Sequence, residues 1–333
     1  MLLLLKKFIA FLLSVVLSSS AAANVTAGSE PFRAKDPDNV RLSVSVLSDV
    51  HVQGQYFRRD ELAAALYDMQ QAPTRQDAVV LCGDNTNSGA RKEYEELKEI
   101  FGKYDAADNK VLAIGNHDTW SKNENGDKDA ALVKELFTQY TKEIGGREID
   151  NVYYSLTVKG VHLIVLGSEG TRREATFSDA QLDWLAREMA AAAGDGKPIF
   201  VFCHWPINGT HGLPYTWEQK PSDDPEMGGI GPESDRVKEI LSQYRNVFFV
   251  SGHIHGGFST DLSEELTQYC TTEELDGIHC VNMPIFSTPN IRGHIVPGTG
   301  IVFETYDDHV LLRARNFLTG TWLPQYDVTY PLY

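Results

Sequence analysis

The sequence is short of cysteine, of basic residues and of long apolar runs. Four cysteines in 333 residues exclude a small scaffold held together by disulfides instead of a core. Only 30 lysines and arginines stand against 46 acidic residues, a formal charge of −16. That balance excludes a surface built to track a phosphate backbone, which needs clustered positive charge, so no nucleic-acid polymer is expected as a partner. The longest apolar run, residues 8–17, is interrupted only by Ser14, and it is shorter than a membrane-spanning helix needs. No other stretch is long enough to span a bilayer. Internal repeats and low-complexity tracts are also absent, which excludes a solenoid.

What is present begins with Lys6-Lys7, the apolar run and Ala21-Ala22-Ala23. This is the pattern of a secretory signal peptide cut after Ala23, with an uncleaved anchor as the alternative. The expected organisation is therefore a leader over residues 1–23, a linker over 24–40 carrying Pro31 and Pro37, and one α/β domain over 41–333. Export raises the question of disulfides. Cys270 and Cys280 flank a polar stretch that they could staple; Cys82 and Cys203 end apolar runs and either face each other or sit as buried thiols.

From Arg41 the hydrophobic pattern alternates between periods of two and of 3.6 residues. Strands are expected over residues 43–48, 78–82 and 110–114, with helices over 60–70, 91–101 and 130–140. Residues 153–158 and 161–166 read as a hairpin turning at Lys159-Gly160. Ser178 and Gln181 are spaced as a capping box for a helix reaching Ala192. Residues 198–203 and 247–251 are apolar enough for buried strands, and 300–305 and 310–315 for two more. Strands alternating with amphipathic helices imply βαβ units and a largely parallel sheet.

Polar clusters of metal-binding type follow these strands: Asp49-Val50-His51, Gly83-Asp84-Asn85, Gly115-Asn116-His117-Asp118, His204, and Gly252-His253-Ile254-His255. Ligands bind at the carboxyl ends of strands in open α/β sheets. Imidazole and carboxylate together suit Mn, Fe or Zn, whereas an all-oxygen cage would favour Mg or Ca. Two divalent cations about 4 Å apart repel by roughly 16 kcal/mol at an effective dielectric of ~20. A pair therefore needs a shared anion, and Asp84 can supply it.

These residues resemble the calcineurin-like metallophosphoesterase superfamily, whose pattern runs D-x-H, G-D, G-N-H, a lone H and G-H-x-H in that order. The resemblance covers residues 42–256. It implies a two-sheet β-sandwich flanked by helices, with two divalent metal ions at one edge. It further implies Asp49, His51, Asp84 and His255 as ligands of one metal, and Asp84, Asn116, His204 and His253 as ligands of the other. The implied activity is hydrolysis of phosphate esters of small molecules or lipids, by in-line attack of a metal-bridging hydroxide. His117 would protonate the leaving oxygen, and Asp118 would orient His117; the alternative for His117 is a structural hydrogen bond. Purple acid phosphatases, a branch of the superfamily, carry a tyrosine where Asn87 stands here. The D-x-H and GNHD forms look more like the cyclic-nucleotide phosphodiesterase and sphingomyelinase-like branches, so a phosphodiesterase is the expectation and a phosphomonoesterase or non-catalytic binding module the alternative. Asn85, Trp205, Asn208 and His211 are candidates for the pocket border, as are Tyr215 and Trp217 in the loop that follows.

Overall fold

The structure, a computed structural model, describes residues 30–53, 56–194, 196–211, 228–256, 272–287 and 298–333. The expected leader, Cys270, Tyr215 and Trp217 lie outside the described residues.

Strand β1 (Leu42–Leu47) is buried along its whole length, as are β2 (Gln76–Cys82) and most of β3 (Ala107–Ala113). Buried on both faces, such strands must satisfy every polar side chain internally. The serines of β1 do so through one neighbour, Ser43 and Ser45 both donating to Gln76 Oε1 at 2.7 and 3.2 Å. Helices α1 (Tyr56–Gln70), α2 (Arg91–Phe101) and α3 (Ala130–Gly145) separate and follow these strands, and β1, β2 and β3 pair in parallel. The hairpin is β4 (Tyr154–Val158) and β5 (Val161–Val165). Its turn residues Lys159 and Gly160 both have positive φ, 51° and 80°, as the twist of a tight hairpin requires.

Helix α4 (Asp179–Ala192) starts as expected only in part. Ser178 Oγ accepts from the Gln181 amide at 3.2 Å. The Gln181 side chain does not return the bond, because it is buried and spans Gly167 and Glu169; Glu169 takes the Ser178 amide instead. Strands β6 (Ile199–Phe202) and β7 (Val247–Ser251), helix α5 (Ser234–Leu241), and β8 (Thr272–Leu275) with β9 (Ile278–Asn282) complete the second sheet and its cover.

The strands form two mixed sheets. The first has seven strands in the order β12-β11-β10-β1-β2-β3, with β13 beside β11. Here β10 (Thr299–Thr305) runs antiparallel beside β1, followed by β11 (His309–Asn316), β12 (Thr321–Trp322) and β13 (Val328–Pro331). The second has six strands in the order β4-β5-β6-β7-β9-β8. In the first sheet β1, β2 and β3 are parallel and reach one edge while the other half is antiparallel; in the second a parallel centre, β5-β6-β7-β9, is flanked by antiparallel β4 and β8, so the largely parallel sheet expected from the βαβ pattern holds only for part of each.

Strand parity sorts the core. Phe200, Phe202, Phe248 and Val250 pack inward against the first sheet, and Phe200 meets Phe303 of β10 edge-on with ring centroids 5.6 Å apart. The alternate residues Ile199, Val201, Val247 and Phe249 pack outward against α4 and α5. Helices α1 to α3 cover the first sheet, giving α/β layers in a helix–sheet–sheet–helix stack. The described part of the expected linker is docked on the domain: Phe32 is buried against Phe317 and Trp322, and Lys35 donates its amide to Glu304.

Candidate metal centre

Parallel register brings the carboxyl ends of β1, β2 and β3 level in one sheet, and those of β6 and β7 level in the other. All five clusters leave from these ends. Backbone bonds tie the loops together: the Asp49 amide donates to Gly83, His51 to Asp84, and Gly252 to His204. Five of the nine non-glycine residues with positive φ among the described residues are Asp49, His51, Asp84, His253 and His255. A left-handed backbone costs a side-chain-bearing residue of order 1–3 kcal/mol and persists where the surroundings dictate it. It turns five polar side chains out of strand direction and onto one point. Glycine is required between them for space: a Cβ at Gly115 would lie on the Asp84 amide, and one at Gly252 on the Ser48 hydroxyl.

The side chains of these clusters converge on one place. His255 Nε2 lies 3.1 Å from Asp49 Oδ1 and 3.2 Å from His51 Nε2. Asp84 presents a different oxygen to each side, Oδ2 at 3.7 Å from His51 Nε2 and Oδ1 at 3.4 Å from His204 Nε2. His204 Nε2 in turn lies 3.2 Å from Asn116 Oδ1, and its ring is 5.1 Å from that of His253. Asp49, His51, Asp84 and His255 offer ligand atoms all within 4.8 Å of one another. Buried Asp49 Oδ1 receives no well-formed hydrogen bond and is ringed by the imidazole nitrogens of His255, His51 and His204. An acceptor surrounded by ring nitrogens, in a pocket of carboxylates, is an arrangement that a cation fits.

The outward nitrogens are set by partners behind them. His204 Nδ1 faces the Cys82 carbonyl at 2.9 Å; a carbonyl only accepts, so Nδ1 carries a proton and it is Nε2 that faces the site. His117 is held the same way, Nδ1 donating to the Asn87 carbonyl at 2.7 Å. Its Nε2 stands 4.0 Å from Asp84 Oδ2, and it keeps partial solvent exposure.

Electrostatics reflect this crowding. Burial works against the charged forms of Asp49 and Asp84, but His204 and the other imidazoles outweigh it and pull both carboxyls below the usual carboxylate range. Burial lowers the His51 pKa to about 3 and takes that of His253 well below the ordinary value. At His204 burial also lowers, yet Asp84 and Asp49 prevail and raise it to about 9.

The Asp118 expectation is corrected. Its carboxylate is fully buried and accepts five bonds, from the Gly115, Asn85 and Thr86 amides, the Asn85 side chain and the Thr86 hydroxyl, at 2.7–3.1 Å. It braces the loops that carry Asp84 and Asn116, and the Asn87 carbonyl orients His117. Asn85 belongs to that brace, not to the pocket border. Trp205 is buried, its ring 5.3 Å from that of His204 and its Nε1 on the Arg173 carbonyl. His211 is buried and its amide bonds Glu273, while the Asn208 amide bonds Ser234.

Several contributors carry no motif of their own. Ser48 Oγ donates to Asp49 Oδ2 at 2.6 Å. Asn282 Nδ2 donates to the Gly252 carbonyl at 2.6 Å. Arg58 joins two site loops, donating to the His51 carbonyl and to Asn87 Oδ1. Trp120, three residues past His117, packs against its ring at 4.0 Å. The remaining cysteines take no part: Cys82, Cys203 and Cys280 are buried free thiols, and burial raises all three pKa values, to about 12 for Cys203 and Cys280, so none is a nucleophile.

Comparison with known proteins places this geometry. The sequence pattern described as Calcineurin-like phosphoesterase matches residues 42–257. A Rhodococcus erythropolis protein named "Probable cyclic nucleotide phosphodiesterase" is 31% identical over 218 residues, 63% of this chain and 63% of its own length. The match therefore spans less than two thirds of that relative. The Mycobacterium tuberculosis "cAMP/cGMP dual specificity phosphodiesterase" is 26% identical over 242 residues, 69% of this chain and 70% of its own. Among solved structures, a dimetal phosphatase from Danio rerio superposes over 89% of this chain and 100% of that one, with a TM-score of 0.57 and 16% identity, a likeness of fold.

Proposed function

The chain belongs to the calcineurin-like phosphoesterase family, and from that premise we propose that it is an exported metal-dependent phosphodiesterase acting on small phosphodiesters. The observation that carries the reading is Asp84, whose two oxygens face imidazoles on opposite sides. Asp49, His51, Asp84 and His255 would hold one divalent cation, and Asp84, Asn116, His204 and His253 a second, drawn from Mn, Fe or Zn. Bound there, the cations would supply Lewis acidity to the phosphoryl oxygens and lower the pKa of water at the site.

The chain's own groups do the rest. Asp49 and Asp84 contribute two negative charges and Asn116 none, so the centre keeps a positive excess for an anionic ester. Backbone and side-chain bonds from His117, Ser48 and His253 fix the two carboxylates. His117, with Nδ1 locked on Asn87, offers Nε2 to the leaving oxygen as proton donor. The diester preference follows the two named relatives, and export follows the leader pattern over residues 1–23. Among the described residues no helix is long and apolar enough to cross a membrane.

The test is a comparison of bis(p-nitrophenyl) phosphate with p-nitrophenyl phosphate on protein loaded with Mn, Fe or Zn. Faster diester cleavage is expected. Preference for the monoester would move the assignment to a phosphatase, and inactivity on both with two metals bound would replace it by a binding module.

A further inference from the structure

Beside the metal centre lies a cavity of about 730 Å³, within the size range of small-molecule sites. Trp120 forms the wall between the two, with its ring on His117 on the side of the metal centre and Lys128 Nζ 4.9 Å from its centroid. Leu132 and Leu136 of α3 supply apolar lining, and Arg91, Lys122 and Lys128 supply charge. Among the described residues no aspartate or glutamate lines it, although the chain carries 46 of them.

The charges are not equivalent. Arg91 is engaged by Glu135 and Gln139 at 2.8 and 2.9 Å. Lys122 and Lys128 face each other across an antiparallel bridge, which puts two like charges side by side, a destabilising arrangement without a counter-charge. Among the described residues neither has a carboxylate within ion-pair distance; Lys128 reaches only the Thr171 carbonyl at 3.2 Å. Burial and Lys122 both lower the Lys128 pKa. The two ammonium groups are donors only, and they border an apolar wall of Leu132, Leu136 and the Trp120 ring.

We propose that this cavity binds a small amphipathic organic anion, an apolar or aromatic body against Leu132, Leu136 and Trp120 with its carboxylate, sulfonate or phosphate between Lys122 and Lys128. The inference stands apart from the phosphodiesterase reading, because binding here needs neither metal nor turnover.

The probe is 8-anilinonaphthalene-1-sulfonate, titrated by fluorescence into the full protein as isolated. One saturable site is expected, weakened about two- to fivefold by Lys122→Gln or Lys128→Gln and on the order of tenfold by both, with unchanged melting curves. Lys103→Gln, a surface control, should leave it alone, as should Asp84→Ala or a chelator. Octanoate should displace the dye, and sulfate at equal ionic strength should not. Equal affinity in the double lysine variant would overturn the proposal, as would loss of binding in Asp84→Ala, which would put the dye at the metal centre. Displacement by sulfate as effective as by octanoate would reduce the site to a charge sink and overturn it too.

Discussion

At the scale of single residues the centre depends on geometry that isolated side chains would not adopt. Asp84 has a left-handed backbone, a carboxylate shared between His51 and His204, and an oxygen fixed by the His117 amide at 2.8 Å. Replacing it should empty both positions: Asp84→Ala is expected to lose two metals by elemental analysis and all measurable turnover. His117→Ala removes a proton donor that ligates nothing, so metal content should be unchanged while kcat falls by about 10²–10⁴-fold. Metals retained in both variants would refute the ligand assignment. Gly115→Ala tests the spacing itself. A methyl there lies on the Asp84 amide, and the overpacking should cost roughly 2–3 kcal/mol in chemical denaturation together with metal affinity. Asp84, His117 and the other motif residues were visible in the sequence as polar clusters at the ends of apolar strands, and the family resemblance implied what each would do. The roles of Asp118 and Asn87 were not visible there, since one acts through five hydrogen bonds across two loops and the other through a backbone carbonyl that any residue possesses.

At the scale of elements, period and turn chemistry placed most strands, helices and the Lys159-Gly160 hairpin correctly, because those signals are local. The Ser178 cap went half astray because a buried glutamine found better partners in tertiary neighbours. Helix α1 carries a related case. Glu61 has a buried oxygen without a partner among the described residues, and burial, partly opposed by Arg58, raises its pKa from 4.5 to about 8. A carboxyl whose folded pKa lies above the unfolded value binds its proton more tightly when folded, so it takes stability away as pH rises from 4.5 to about 8. Glu61→Gln should therefore match the native protein near the lower end of that window. Above its upper end the variant should be more stable by about 1–2 kcal/mol, a value discounted for the side chain's partial exposure. Thermal melts at both ends decide it; a gain independent of pH would show that the charge is not the cause.

At the scale of the whole molecule, two sheets must meet before any centre exists. Asp49, Asp84 and Asn116 come from the ends of the first, His204, His253 and His255 from the second, and the contact between Phe200 and Phe303 belongs to the packing that aligns them. Cations held across that junction would cross-link the sheets, so chelation should lower the melting temperature by about 5 °C for metal at a hundredfold excess over its dissociation constant. An unchanged melt would mean that the centre contributes nothing to the union of the sheets. The sequence by itself determined which residues could bind metal, the order in which they occur and the strand ends that carry them, because ligand chemistry and hydrophobic period are written locally. Only the tertiary structure decided that β10 returns beside β1 with β11 beyond it, that the segment carrying Phe32 and Lys35 docks on the domain, and which nitrogen of His117 and His204 faces the site. Those depend on contacts between residues far apart in the chain, whose partners no local pattern names.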